Sequence, residues 1–231
     1  TNITLTTSPV AATVNWNATN TGNVSGIIPT SGTSKNINQT LVNNDPSINF
    51  VYYDIQVSNY GCTTDPYTYT VTVNPVPDVF VFPATTVICS GTTINLSLAS
   101  SIPSTTFSWT ATGTAGVSGF SAGSGSSIAQ AISTVSTTQG TVTYIITPLA
   151  NGCSGNPYTY TVTVNPIPAV TNFPLSAVIC SGSSTSISLT SSVGGSSYSW
   201  LASGTSGTSG YSSGSGNVIS QVLNNSGNTP G

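Results

Sequence analysis

The sequence predicts an all-β fold built as a tandem array of small sandwiches, and three observations carry that reading. Landmarks recur at a shift of 91 residues: DPYTYTVTVNP at Asp65 to Pro75 returns as NPYTYTVTVNP at Asn156 to Pro166. Short segments rich in Val, Ile, Thr and Tyr alternate with Gly, Ser, Asn and Pro turns, and no stretch shows a helical period. Only five of 231 side chains carry charge, Lys35 and the aspartates 45, 54, 65 and 78, so hydroxyls and amides must keep the surface wet.

The repeat comes first because it sets the architecture. The same shift carries Cys62 to Cys153, Cys89 to Cys180 and Trp109 to Trp200. VICSG at Val87 to Gly91 returns at Val178 to Gly182, and SGFSAGSG at Ser118 to Gly125 returns as SGYSSGSG at Ser209 to Gly216. A period held over independent landmarks marks tandem domains near the lower end of domain size. In this phase Thr1 aligns with Thr92 and Gly231 with Gly140. The expected organisation is a partial repeat over 1–75 lacking its first strand, a complete repeat over 76–166, and a partial repeat over 167–231 lacking its last two strands. Trp16 meets Trp109 only after a further shift of two residues, which makes unit 1 the most diverged copy. The partial units are expected to be completed by flanking repeats of one polypeptide or by a strand from an identical subunit, because open edges pair readily.

Within the complete unit, strands are predicted at Asp78 to Phe82, Thr92 to Ala99, Thr105 to Thr110, Ser127 to Ser133, Val142 to Pro148 and Tyr158 to Val164. The last alternates most cleanly, with Tyr158, Tyr160, Val162 and Val164 on one face and threonines on the other. About seven short strands in about 90 residues, with a mid-chain Trp and two flanking Cys, match an immunoglobulin-like sandwich. Trp16, Trp109 and Trp200 are therefore read as core residues between the sheets, against the alternative of sugar-stacking platforms.

Composition removes most chemistry. The chain has no His, Arg, Glu or Met, so general acid/base catalysis, metal binding and phosphate recognition lack their usual groups. One cation cannot supply a counterion-release term, which excludes nucleic acid. No apolar run reaches the roughly 18 to 20 residues of a spanning helix, so membrane insertion is not expected. Gly119 to Gly123 and Gly210 to Gly214 both satisfy G-x-S-x-G, but the nucleophile elbow needs a histidine base. Neither enzymatic activity nor a cofactor is expected. Calcium at Asp54, Asp65 or Asp78 would need several carboxylates, and the second junction, around Asn165, has none. N-x-S/T triplets at Asn2, Asn17, Asn23, Asn38, Asn95 and Asn224 are expected by chance in so Asn- and Thr-rich a chain.

The cysteines point to an oxidising compartment. Cys89 and Cys153 belong to one unit and are expected to pair, closing a loop whose cross-link stabilises by roughly 3 to 5 kcal/mol in the chain-entropy model. Cys62 and Cys180 are then expected to pair outside this sequence or between chains. The alternative is four free thiols in a reducing compartment. Asn74-Pro75-Val76-Pro77 and Asn165-Pro166-Ile167-Pro168 impose extended backbone on short links, so successive domains are expected to form a rod.

VNPxP, then VICSG, then FSWTATG or YSWLASG, then a glycine-serine loop, then NGC before a tyrosine-threonine strand together resemble the PKD-like, immunoglobulin-like repeats of very large Bacteroidetes surface proteins. These include gliding-motility-type adhesins exported by type IX secretion. The chain departs from the WDFGDG pattern, carrying Trp109-Thr110-Ala111-Thr112-Gly113 and Trp200-Leu201-Ala202-Ser203-Gly204 in its place. The resemblance implies a secreted or cell-surface location and a stalk-like or adhesive role, in a surface protein or an extracellular filament, and supplies no catalytic residues. Neighbouring repeats or identical subunits are the expected partners. The other function class is a carbohydrate-binding module whose loop aromatics, Phe120 among them, hold surface glycans. A weaker idea is an ice or mineral binder using outward threonine rows.

Overall fold

The computed structural model describes residues 1–172 and 176–228, and every regular element among them is a strand. The middle unit, unit 2, is a two-sheet sandwich. One sheet runs in the order Phe80–Phe82, Thr92–Ala99, Ser127–Thr134, Val117–Ser118. The other runs Thr86–Cys89, Tyr158–Asn165, Gly140–Ala150, Thr106–Gly113, Gly123–Ser124, with the short Cys153–Ser154 hairpin arm on Gly140–Ala150. All pairings are antiparallel except that of Thr86–Cys89 with Tyr158–Asn165. The first predicted strand, Asp78 to Phe82, is observed as Phe80–Phe82, and a strand not predicted, Thr86–Cys89, follows it: the chain leaves one sheet after Phe82 and joins the other at Thr86.

Alternation along each strand turns one face inward. Ile94, Leu96 and Leu98 alternate with exposed residues on one sheet, and Phe107 and Trp109 do so on the other. Val142, Tyr144 and Ile146 on the long central strand are wholly buried. With Ile128, Ile132, Tyr160, Val162 and Val164 they form one cluster. Each such side chain contributes about 1.5 to 3 kcal/mol on burial. Tyr158 shares the inward parity but lies beyond the rim, exposed on 41% of its surface, so the buried row begins at Tyr160.

Unit 1 repeats the tryptophan sheet: Ser31–Gly32, Thr13–Asn20, Asn49–Asn59 and Tyr67–Val73. Its facing layer consists of two short pairs, Asn2–Thr4 with Asn36–Asn38 and Val24–Ser25 with Val42–Asn43. Val14, Trp16, Val51, Tyr53 and Ile37 close its core. Tyr69 is 43% exposed where Tyr160 is 3% exposed. In unit 2 the Thr86–Cys89 strand and Pro83 cover that tyrosine, with hydrogen bonds at 2.6 and 2.8 Å.

Unit 3 is a set of two- and three-stranded pieces: Ser183–Ser184 and Thr208–Ser209 on Val222–Asn225, Ile187–Ser188 with Val218–Ile219, and Ser199–Trp200 with Gly214–Ser215. Among the described residues the buried clusters lie in units 1 and 2. Trp16 and Trp109 are buried in the two clusters, at 5% and 7% exposure. Trp200, also expected in the core, is half-buried in the Ser199–Trp200 pairing with Gly214–Ser215.

Trp109→Ala is expected to lower the stability of unit 2 by about 3 to 5 kcal/mol, as for large core aromatics. Trp200→Ala should leave the two cooperative transitions in place. Urea titration followed by tyrosine fluorescence checks both; an unchanged midpoint for Trp109→Ala would refute the core assignment.

Candidate functional site

The motifs singled out above converge on the loop over the tryptophan and on the two poles of each sandwich. Trp109 lies between Ile146 on one side and Gly123 on the other. A Cβ at Gly123 would stand 2.8 Å from the indole Cζ2, so only glycine lets the loop strand cross the ring. Gly32 over Trp16 and Gly214 over Trp200 repeat the arrangement, at 2.7 and 2.6 Å.

A neutral polar node fixes this loop. The Trp109 indole N–H donates to Ser121 O at 3.2 Å, and Gln130 Nε2 donates to Ser121 O and Oγ, both at 3.0 Å. Ser121 N–H donates back to Gln130 Oε1 at 3.2 Å, and the Tyr144 hydroxyl donates to the same oxygen at 2.7 Å. In unit 3 the indole of Trp200 and the carboxamide of Gln221 hold Ser212 in the same way. Unit 1 keeps Tyr53 on Gln39 Oε1 at 2.6 Å, while Gln39 Nε2 turns to Pro29 O and the Trp16 indole to Ser34 O. The longer loop of unit 1 accounts for the change. Gln39, Gln130 and Gln221 stand 91 residues apart, a signal that sequence reasoning missed.

The node explains both G-x-S-x-G matches. Ser121 and Ser212 have their hydroxyls and backbone engaged by glutamine, and their glycines serve the indole and the turn. Gly119 and Gly210 adopt φ of 90° and 91°, with a backbone carbonyl 2.0 Å from a would-be Cβ. Phe120, proposed as a sugar platform, packs against the core, and its ring sits 2.4 Å from a would-be Cβ on Gly113.

Burial pushes the Tyr144 phenol up to about 12 and raises that of Tyr53. Asp78 is raised by partial burial, but hydrogen bonds from Ser100 Oγ and Ser101 N–H, each 2.7 Å, outweigh that and hold it below the usual carboxylate range. Its carboxylate ties a turn, and Asp54 accepts from Thr68. Asp65 is exposed. No three His, Cys, Asp or Glu side chains gather among the described residues. Lys35 donates to Thr7 Oγ1 and Val10 O, both at 2.8 Å, so the one cation is bound by neutral oxygens.

The cysteines overturn the expected pairing. All four are free, and Cys62, Cys89 and Cys180 are exposed. Cys89 pairs in register with Asn165, beyond Val164, which faces Gly140; Cys153 pairs with Ala150. The eleven-residue strand Gly140–Ala150 separates them; ten steps of it span about 33 Å. A disulfide needs Cα atoms within about 7 Å. Cys89 and Cys153 therefore sit at opposite poles of the sandwich and cannot bond to each other within one unit.

The poles meet at the junctions. Asn74 Nδ2 donates to Asn151 O at 2.9 Å. Pro46, Ser47 and Ile48 of unit 1 line a cleft with Ile102, Pro103 and Ser104 of unit 2. Thr137, Thr138 and Gln139 of unit 2 line a cleft with Val193 and Gly194 of unit 3. These are the same repeat positions, displaced by 91.

Comparison with known proteins agrees with this architecture. The sequence matches the PKD-like domain family over residues 1–77, 86–168 and 177–230. The chain belongs to the PKD-like domain family. Such domains are typically non-catalytic and usually extracellular, and no helix among the described residues is long and apolar enough to cross a membrane. No curated protein matches the chain. Among solved structures, one described as Dpr2 Ig1-Ig2 in complex with DIP-Theta Ig1-Ig3 aligns with 15% identity over 92% of this chain and 79% of that one, at a TM-score of 0.31.

The Tyr144 hydroxyl gives the site a pH signature. Its pKa is higher folded than unfolded, so the stability it lends is whole below pH 10, falls as pH rises, and is lost above about 12. Tyr144→Phe should flatten the decline of the unit 2 unfolding midpoint across that window, Tyr53 continuing to act in unit 1. An unchanged alkaline slope would contradict the burial of the phenol.

Proposed function

We propose that this PKD-like chain is a structural and adhesive segment of an extracellular repeat array, the stalk of a large surface protein or filament. The observation that carries the reading is the junction: two successive contacts use the same repeat positions. A linker holding two prolines stands at each junction, and at the first the Pro77 carbonyl lies against Gly155, which restricts how unit 2 sits on unit 1. Repetition of one restricted joint extends a chain at constant pitch. The near-absence of charge suits contact with neighbouring repeats or identical subunits, since little repulsion opposes it. The motif resemblance to gliding-motility-type adhesins exported by type IX secretion supports a secreted, cell-surface setting.

Carbohydrate binding stands as a second reading on one observation. An open groove of about 470 Å³ in unit 1 is lined by Asn15, Asn17, Asp54 and Gln56 beside the edge of Trp16, an amide-rich surface suited to sugar hydroxyls. Glycan-array binding lost on Asn17→Ala and Gln56→Ala would favour it.

Small-angle scattering tests the stalk. Three units of about 33 Å in line give a radius of gyration of about 30 Å, whereas a compact globule of this length gives about 17 Å. The higher value is expected; the lower would overturn the reading.

A further inference from the structure

The repeat places one cysteine at each pole, and the junction brings unlike poles together. In unit 2 Cys89 lies opposite Asn165, whose carbonyl accepts the Ser90 N–H at 2.8 Å. The matching asparagine of unit 1 is Asn74, and its side chain donates to Asn151 O. Asn151 opens the tight turn Asn151-Gly152 that delivers Cys153 to the hairpin, with φ of 50° and 77°. A residue at the Cys89 position of unit 1 would stand one strand spacing, about 4.8 Å, from Asn74. It would share the interface with Cys153. Cys89 likewise occupies the pole of unit 2 that faces unit 3, where Gln139 donates to Asn165 at 2.8 Å above the cleft shared with Val193.

We propose that these cysteines form disulfides across the domain junctions, the VICSG cysteine of one unit bonding to the hairpin cysteine of the unit that follows. The bond forms by exchange with a disulfide oxidant, such as oxidised glutathione or an oxidised thioredoxin-like dithiol protein. Two cysteine thiols lose two protons and two electrons to become one S–S bond, and the oxidant's S–S bond is reduced to two thiols. The cross-link turns a restricted joint into a covalent one and staples a rod whose surface offers almost no ion pairs. It rests on the stalk reading for its oxidising setting and shares the junction contact with it. Both members of such a pair do not occur together in this sequence, which is why spacing alone suggested the wrong partner.

The test extends the full chain ahead of Thr1 with a second copy of its own residues 76–91, which Thr1 follows in repeat phase. After folding in a glutathione disulfide buffer, the non-reducing peptide map should join the added cysteine to Cys153, leaving Cys62, Cys89 and Cys180 as thiols. A second protein guards against misfolding: two copies of Val76 to Pro166 in tandem, whose core residues all lie within that span. It should link Cys89 of the first copy to Cys153 of the second. Folded protein with only free thiols, or a link between the two cysteines of one unit, would overturn the proposal. A compact scattering profile would defeat the stalk without touching this map, and a failed cross-link would leave the scattering profile as it is.

Discussion

The Gly140–Ala150 strand is the constraint on which unit 2 depends. It pairs with the tryptophan strand on one side, Trp109 facing Ile146, and with the tyrosine-threonine strand on the other, Tyr144 facing Tyr160. Its inward residues Val142, Tyr144 and Ile146 have no solvent exposure, so the hydrophobic term is concentrated along this line. Its length sets the long axis of the sandwich. That axis separates the two cysteines of a unit and carries the Asn151 turn to the junction. In unit 3, Trp200 is half-buried and Ile187 and Val222 are 40% and 49% exposed.

A chain with almost no charge must satisfy its buried polar groups with neutral partners. No buried side-chain nitrogen or oxygen among the described residues lacks one. The Trp109, Ser121, Gln130 and Tyr144 node does this at the edge of the core, where an unpaired hydroxyl or carboxamide would cost about 1 to 3 kcal/mol. At the pole of unit 1, Asn43 and Asn49 are buried by bonding to each other, to Asp45 and to the Val73 carbonyl. Amides here take the place that ion pairs hold in ordinary domains.

Much of this was legible in the residues. The 91-residue period, the strand at Thr92–Ala99 and the alternation in Tyr158–Asn165 followed from pattern alone, because a half-buried strand imposes a period of two. The sheet switch after Phe82 was not, since a short apolar run does not say which sheet it joins. The cysteine pairing failed for a related reason: proximity in sequence carries no information about which end of a strand a turn occupies. The glutamine node was within reach, because Gln39, Gln130 and Gln221 keep the repeat phase. It went unread because glutamine carries no motif of its own, and its role appears only when Ser121 and Tyr144 are brought to it from different strands.

Native-state amide hydrogen exchange bears most directly on the claim that the central strand carries the fold. The amides of Val142, Tyr144 and Ile146, with those of Val51, Tyr53 and Ile55 in unit 1, should exchange only through global unfolding of their units. Those of Ile187, Trp200 and Val222 should exchange faster by orders of magnitude. Equal protection across all three units, or protection greatest on the edge strands, would contradict the account.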